Sequence, residues 1–192
     1  MQKIILASQS PRRKQLLEWA ELPFTVIVSD SDESYPPGLS MEETAIHIAR
    51  NKALAVQETC MLSGKVPGST PILAADTIVV LYDNIIGKPK DRGDAIAILS
   101  ALSGQHHEVI TGVVILNTEK EIAFADTTSV QFYDLTTEQI EFYVDKYKPY
   151  DKAGAYAIQE WIGVVGIQSV EGDFYNVMGL PVSRVVRALQ NF

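Results

Sequence analysis

The chain has 192 residues, 46% hydrophobic and 21% charged. Those are ordinary globular proportions, with length for one substantial core arranged as one domain or as two closely packed lobes. A formal net charge of −8 excludes a general nucleic-acid binder, which needs a broad basic face. The single cysteine, Cys60, excludes an intramolecular disulfide framework, and no Cys/His spacing suits a structural zinc. No apolar run approaches the length of a membrane span, and the opening residues read as a strand rather than a basic-then-apolar leader. The expected compartment is therefore the cytoplasm.

Lys3 to Ala7 reads as a buried strand, Ser8-Gln9-Ser10 as a polar turn, and Pro11-Arg12-Arg13-Lys14 as the opening of a helix. Ser10 suits the N-cap and Pro11 the first helical position, where a missing N–H costs nothing. Such a helix aims unpaired N–H groups and the positive end of its dipole at whatever lies before the turn. Two guanidiniums at this end favour a phosphorylated ligand over a lone carboxylate.

Phe24 to Val28 reads as a second strand, running into the acidic stretch Ser29 to Glu33. Ser40 with Glu43 forms a capping box, and Ala45, Ile48, Ala49, Lys52, Ala55 and Val56 follow at helical spacing. Cys60 to Pro71, rich in Gly, Ser and Pro, reads as a loop. Pro71 to Tyr82 is the most strand-like segment, with Asp83-Asn84 turning it into a short partner at Ile85-Ile86. A helix carrying Ala95, Ile96, Ile98, Leu99 and Leu102 closes at Gly104. His107 to Leu116 and Ile122 to Tyr133 pair as a hairpin about Thr118 to Glu121. Thr136 with Gln139 caps a helix that stops before Pro149. Strand-like pieces follow at Ala155 to Ile158 and Val164 to Val170, and a last helix starts near Pro181. This order predicts an α/β fold: a mixed twisted sheet flanked by helices, split into two lobes around a central cleft.

Asp76 is the first candidate for chemistry, because a carboxylate inside a run as apolar as Leu73 to Leu81 is costly unless paired, hydrogen-bonded or metal-bound. Taken alone, it is better explained as a strand-end aspartate tied to backbone amides or to a basic neighbour, since structural ion pairs also bury carboxylates. Lys52 lies on the apolar stripe of its helix and reaches past one end, and Lys88 is fixed between Gly87 and Pro89; both suit phosphate oxygens. Asp30, Asp32 and Glu33 offer carboxylates to a divalent ion, although Asp30 and Asp32 read more simply as a solvated acidic loop. His47, His106 and His107 read as structural or exposed. A helix N-terminus with arginines, separate lysines, a buried aspartate and an acidic loop together describe metal-assisted attack on a polyphosphate.

The segments Leu6-Ala7-Ser8-Gln9-Ser10-Pro11-Arg12-Arg13, Ala75-Asp76-Thr77, Gly87-Lys88-Pro89, Leu102-Ser103-Gly104, Asp151 to Gln159 and Gly179-Leu180-Pro181 resemble the motifs of the Maf family of nucleoside triphosphate pyrophosphatases. They keep the family's order over nearly the whole chain, as a single Maf-like domain across residues 1–192. The resemblance implies a fold like that of the inosine triphosphate pyrophosphatases, often a homodimer. It also implies hydrolysis between the α and β phosphates of a nucleoside triphosphate with Mg²⁺ or Mn²⁺. It assigns phosphate binding to Ser8, Arg12, Arg13, Lys52 and Lys88, and metal binding to Glu33 and Asp76. Asp76 matches the proton acceptor, and the sequence leaves open whether it takes a proton or mainly holds the metal. Arg12, Thr77 and Gln159 resemble the specificity positions of the subgroup acting on dTTP and UTP. The sister subgroup favouring methylated guanosine triphosphate typically has Gln after the aspartate and lacks this glutamine. An amide presents both donor and acceptor to a pyrimidine edge. Ala157 departs from a common glycine, and the Cys60 to Pro71 loop varies in length, which bears on base selectivity and cleft shape.

Two other readings remain open. Phe24 to Val28 followed by Asp30-Ser31-Asp32 mimics the opening of haloacid-dehalogenase-type phosphatases, which release orthophosphate, but Ser34 stands where Thr or Val is usual. A nucleotide-binding regulator of septum formation with little turnover is the non-enzymatic alternative.

Overall fold

The computed structural model describes residues 2–64 and 68–192. In chain order the elements are β1 (Ile4–Leu6), α1 (Pro11–Trp19), β2 (Phe24–Val26), α2 (Met41–Ser63), β3 (Ile72–Leu81), β4 (Asn84–Ile86), α3 (Arg92–Leu102), β5 (His106–Leu116) and β6 (Glu121–Phe132). They continue with α4 (Thr137–Tyr147), a 3₁₀ turn (Ala153–Ala155), α5 (Trp161–Val165), β7 (Ile167–Glu171), α6 (Phe174–Met178) and α7 (Val182–Gln190). The strands form a mixed sheet of order β2-β1-β3-β5-β6-β7, with β4 paired to β3. β1 runs parallel to β2 and β3, whereas β3/β4 and β6/β7 are antiparallel. The expected α/β class and mixed sheet are thus observed.

The chain divides into two compact units. The first holds Met1–Asp76, Thr111–Asp126 and Gly179–Phe192, and the second Thr77–Ile110 and Thr127–Met178.

In the first unit, β1 pairs in register with β2 (Ile4 opposite Phe24) and with β3 (Ile5 opposite Ile72). The apolar face of α2 packs Ala49, Ala53, Val56 and Cys60 with Ile5, Ala7, Ile72, Ala74, Val114 and Leu116, which is the amphipathic arrangement its spacing predicts. Both reciprocal hydrogen bonds of the Ser40/Glu43 capping box form. At Gly112, β5 approaches α2 so closely that a Cβ would stand 2.2 Å from the carbonyl carbon of Ala45. Glycine is required there by contact with backbone rather than by torsion.

In the second unit, β3 turns into β4 through Tyr82 and Asp83, both left-handed (φ 50° and 60°), with Leu81 opposite Asn84. The turn therefore sits one residue earlier than the Asp83-Asn84 pair suggests. α3 packs on α4, and the capping box of Thr136 and Gln139 is complete.

Four local expectations need correction. The β2 ladder is shorter than its apolar run: Ile27 N still donates to Leu6 O at 3.2 Å, but Val28 is exposed. The segment read as a loop from Cys60 begins as helix, because α2 continues to Ser63 and ends on Gly64 at φ 60°, a left-handed C-terminal cap; residues 65–67 of that segment lie outside the described residues. Ala155 to Ile158 is buried but forms no strand, since Gly154 and Ala155 adopt positive φ (69° and 58°) and turn the chain out of extended conformation. Val164 and Val165 close α5, and α6 was not signalled by periodicity.

Candidate active site

In the first unit, Ser10 caps α1 by accepting from Arg13 N at 3.5 Å, with Pro11 in the first turn. This fixes the helix opening and sets Arg13 beside β1's end. Ser8 Oγ accepts from Ser10 N at 3.2 Å and from Arg13 Nη1 at 3.3 Å, while Arg13 Nε donates to Gly179 O at 2.8 Å. Gly179 has φ 119°, a conformation that L side chains rarely adopt. The Arg13 guanidinium is thus held as a planar fork between two segments, the Ser8 turn and Gly179. Burial lowers its pKa; Asp76 opposes that effect, Arg12 adds to it, and Glu33 opposes it. These four charged groups therefore share one electrostatic environment.

Lys52 projects from α2, where it interrupts a stripe of Ala45, Ile48, Ala49, Ala53 and Val56. Its Nζ lies 2.6 Å from Asp76 Oδ1 and 2.8 Å from Glu33 Oε1, with the side chains of Lys52, Asp76 and Glu33 19%, 17% and 60% exposed. The costly carboxylate of β3 is paired, as its apolar setting demands. Asp32, by contrast, spends its carboxylate on Ser34, accepting from its N at 2.8 Å and its Oγ at 2.6 Å, and those bonds lower its pKa. The solvated-loop reading of Asp32 agrees with this.

One contributor escaped the sequence reading. Asn51 Nδ2 donates to Asp32 O at 3.2 Å and stands 3.3 Å from His47 Nε2. It ties the acidic loop to α2 next to Lys52, which brings Glu33 within reach. Its only sequence signal is its position before Lys52.

The remaining candidates belong to the second unit. Thr77 follows Asp76 on β3, and its side chain alternates to the opposite face. Lys88 is exposed, and Gly87 O beside it accepts from Gly154 N at 3.2 Å. Gln159 is exposed in a turn closed by Glu160 N donating to Ala157 O at 3.0 Å. His107 is structural, as expected: it is buried, meets Tyr156 Oη at 2.8 Å and packs edge-on against Phe132.

Among the described residues no group of three or more His, Cys, Asp or Glu side chains gathers as a metal site. Glu33 and Asp76 nevertheless converge on a single cation, the Lys52 ammonium. Two carboxylates about one cation position are a donor set of the kind Mg²⁺ or Mn²⁺ uses alongside substrate oxygens and water.

The first unit thus joins a capped helix opening, a clamped arginine and a lysine shared by two carboxylates, an arrangement chemically able to receive phosphate oxygens. The family model described as "Maf-like protein" matches residues 3–192, and the chain belongs to the Maf family. A protein named dTTP/UTP pyrophosphatase from Parabacteroides distasonis is 47% identical over 191 residues, covering 99% of this chain and 96% of that protein. Proteins of the same name from Porphyromonas gingivalis and Bacillus cytotoxicus are 46% and 44% identical, over 99% and 100% of this chain and 94% and 96% of theirs. Among solved structures, the Staphylococcus aureus Ham1 protein aligns with a TM-score of 0.43 and 16% identity, over 69% of this chain and 73% of that one, a likeness too weak to bear on fold or function. No helix among the described residues is long and apolar enough to cross a membrane.

Proposed function

We propose that this chain hydrolyses dTTP and UTP to the nucleoside monophosphate and pyrophosphate, the activity for which its full-length relatives are named. The observation that carries the reading is the convergence of Asp76 and Glu33 on Lys52, with Arg13 in the same electrostatic environment. Water attacks the α phosphorus, a P–O bond forms, the bond from that phosphorus to the bridging oxygen breaks, and pyrophosphate leaves. Asp76 accepts the proton of the attacking water. Arg13, oriented by Ser8 and Gly179, and Lys52, Arg12 and Lys88 receive the phosphate oxygens and stabilise the charge that develops on them. Glu33 and Asp76 would hold Mg²⁺ or Mn²⁺, which supplies Lewis acidity and a bound water of lowered pKa. Arg12, Thr77 and Gln159 set base selectivity, and the amide of Gln159 complements the mixed donor and acceptor edge of thymine or uracil. The same reading takes residues 1–192 as one functional domain, acting as a homodimer in the cytoplasm.

The test is incubation of purified protein with a panel of nucleoside triphosphates and Mg²⁺ or Mn²⁺, measuring both products. Equal release of monophosphate and pyrophosphate, greatest for dTTP and UTP, is expected. Orthophosphate as the sole phosphorus product would overturn the reaction type. Tight nucleotide binding without turnover would favour a regulator.

A further inference from the structure

The reading of Gln159 as a base-contacting residue raises the question of what holds an exposed side chain in place. In the second unit, Ala157 and Glu160 close a four-residue turn with Ile158 and Gln159 at its centre, Glu160 N donating to Ala157 O at 3.0 Å. Ile158 is buried and anchors one side of this turn, leaving Gln159 to point outward. Gly163 of α5 backs the turn so closely that a Cβ would fall 1.7 Å from Ile158 O.

A single phenol joins both ends. Tyr143 of α4 is fully buried and stacks on Tyr147 at 4.9 Å. Its hydroxyl accepts from Ala157 N at 3.2 Å and donates to Glu160 Oε2. The other oxygen of Glu160 lies 3.5 Å from Lys152 Nζ, itself held 2.8 Å from Asp151 Oδ1. Burial, followed by the Glu160 contact, pushes the Tyr143 pKa up, so the phenol stays a donor throughout the neutral range. The network spans the turn without using the Gln159 side chain, which remains available to a ligand.

We propose that Tyr143, with Glu160 as its carboxylate partner, is a positioning residue for Gln159 and so determines discrimination between pyrimidine and purine nucleotides. The proposal rests on the reading of Gln159 given above. A buried phenol bonded to Ala157 N and to the Glu160 carboxylate holds the backbone of the turn, and with it the point from which the Gln159 side chain departs. Fixing that origin before the base arrives is preorganisation of a specificity contact.

The experiment compares Tyr143→Phe, Gln159→Ala and the double variant with the parent, using dTTP, UTP, ATP and GTP in the presence of Mg²⁺, and records thermal midpoints. Tyr143→Phe keeps the stacked ring and loses only the hydroxyl. Its KM for dTTP and UTP is expected to rise about tenfold, the scale of one hydrogen bond, with kcat within about twofold. The ratio of pyrimidine to purine kcat/KM is expected to shrink accordingly. Added to Gln159→Ala, the change should cost nothing further in that ratio, since the two act on one contact. Should Tyr143→Phe not fold, Glu160→Gln, which retains an acceptor for the phenol while releasing Lys152, is expected to narrow the ratio about threefold. Equal losses on pyrimidine and purine substrates, or losses additive with Gln159→Ala, would overturn the positioning role while leaving the pyrophosphatase reading intact. A parent protein that turns over none of these nucleotides would overturn both.

Discussion

Lys52 Nζ stands 2.6 Å from Asp76 Oδ1, so the cation that breaks the apolar stripe of α2 meets the carboxylate that breaks the apolar run of β3. Each would be costly without the other. Removing one partner of such a pair is far more damaging than the pair is stabilising, because the survivor is left partly buried and uncompensated.

Asp76→Asn is therefore the informative substitution, since it keeps size and hydrogen bonding while removing charge. Nucleotide affinity should stay within a few-fold, whereas kcat should fall about 10³-fold, the scale of a lost general base. Calorimetric titration with dTTP and single-turnover assays check the two halves. Unchanged turnover would remove Asp76 from the mechanism.

Arg13→Lys preserves positive charge but loses the planar fork that spans Ser8 Oγ and Gly179 O. A drop in kcat/KM of about 10- to 100-fold is expected, with a smaller loss for Ser8→Ala, which removes only one acceptor. Steady-state kinetics alongside thermal unfolding separates this from instability; a kcat/KM equal to the parent's would show that the fork is dispensable.

Chelation of divalent ions should stop turnover, and Glu33→Gln should raise the Mg²⁺ concentration giving half-maximal rate by about tenfold, because one of two charged donors is lost. Full activity in excess chelator would contradict the assignment of Glu33 and Asp76.

The cluster of Ser8, Arg13, Lys52 and Asp76 was legible as a candidate site because its signals are local. Ser10, Pro11 and the paired arginines announce an open helix terminus through capping chemistry alone, and Asp76 stands out by its apolar neighbours. Asn51 and Tyr143 were not legible. Their roles consist of bonds to residues 19 and 14 positions away, Asn51 to Asp32 and Tyr143 to Ala157, and neither type is unusual in a helix. The misread strand at Ala155 to Ile158 has a related cause. Burial there comes from packing and from a phenol hydroxyl rather than from a sheet ladder, and an apolar run alone does not distinguish the two.

His107 gives the fold a defined acid limb. Burial, assisted by the nearby His106, lowers its pKa from 6.5 to about 4. The unfolded chain therefore binds the additional proton between those values, so the neutral ring's contribution is complete above about pH 6.5 and is lost as pH falls towards 4. The amount at stake is about 3 kcal/mol. Denaturant unfolding across this range should show stability falling with acidification, and His107→Phe should flatten that slope. A slope unchanged in the variant would assign the acid sensitivity to other groups.

The bare backbone at Gly112 carries a warning for genetics. It abuts Ala45, which precedes Lys52 on the same helix by about two turns, roughly 10 Å. Any methyl there would lever that helix outward and withdraw the ammonium from its carboxylate. A screen for lost turnover would then score position 112 beside Lys52 and Asp76, although it is a buried glycine with no side chain to offer a ligand.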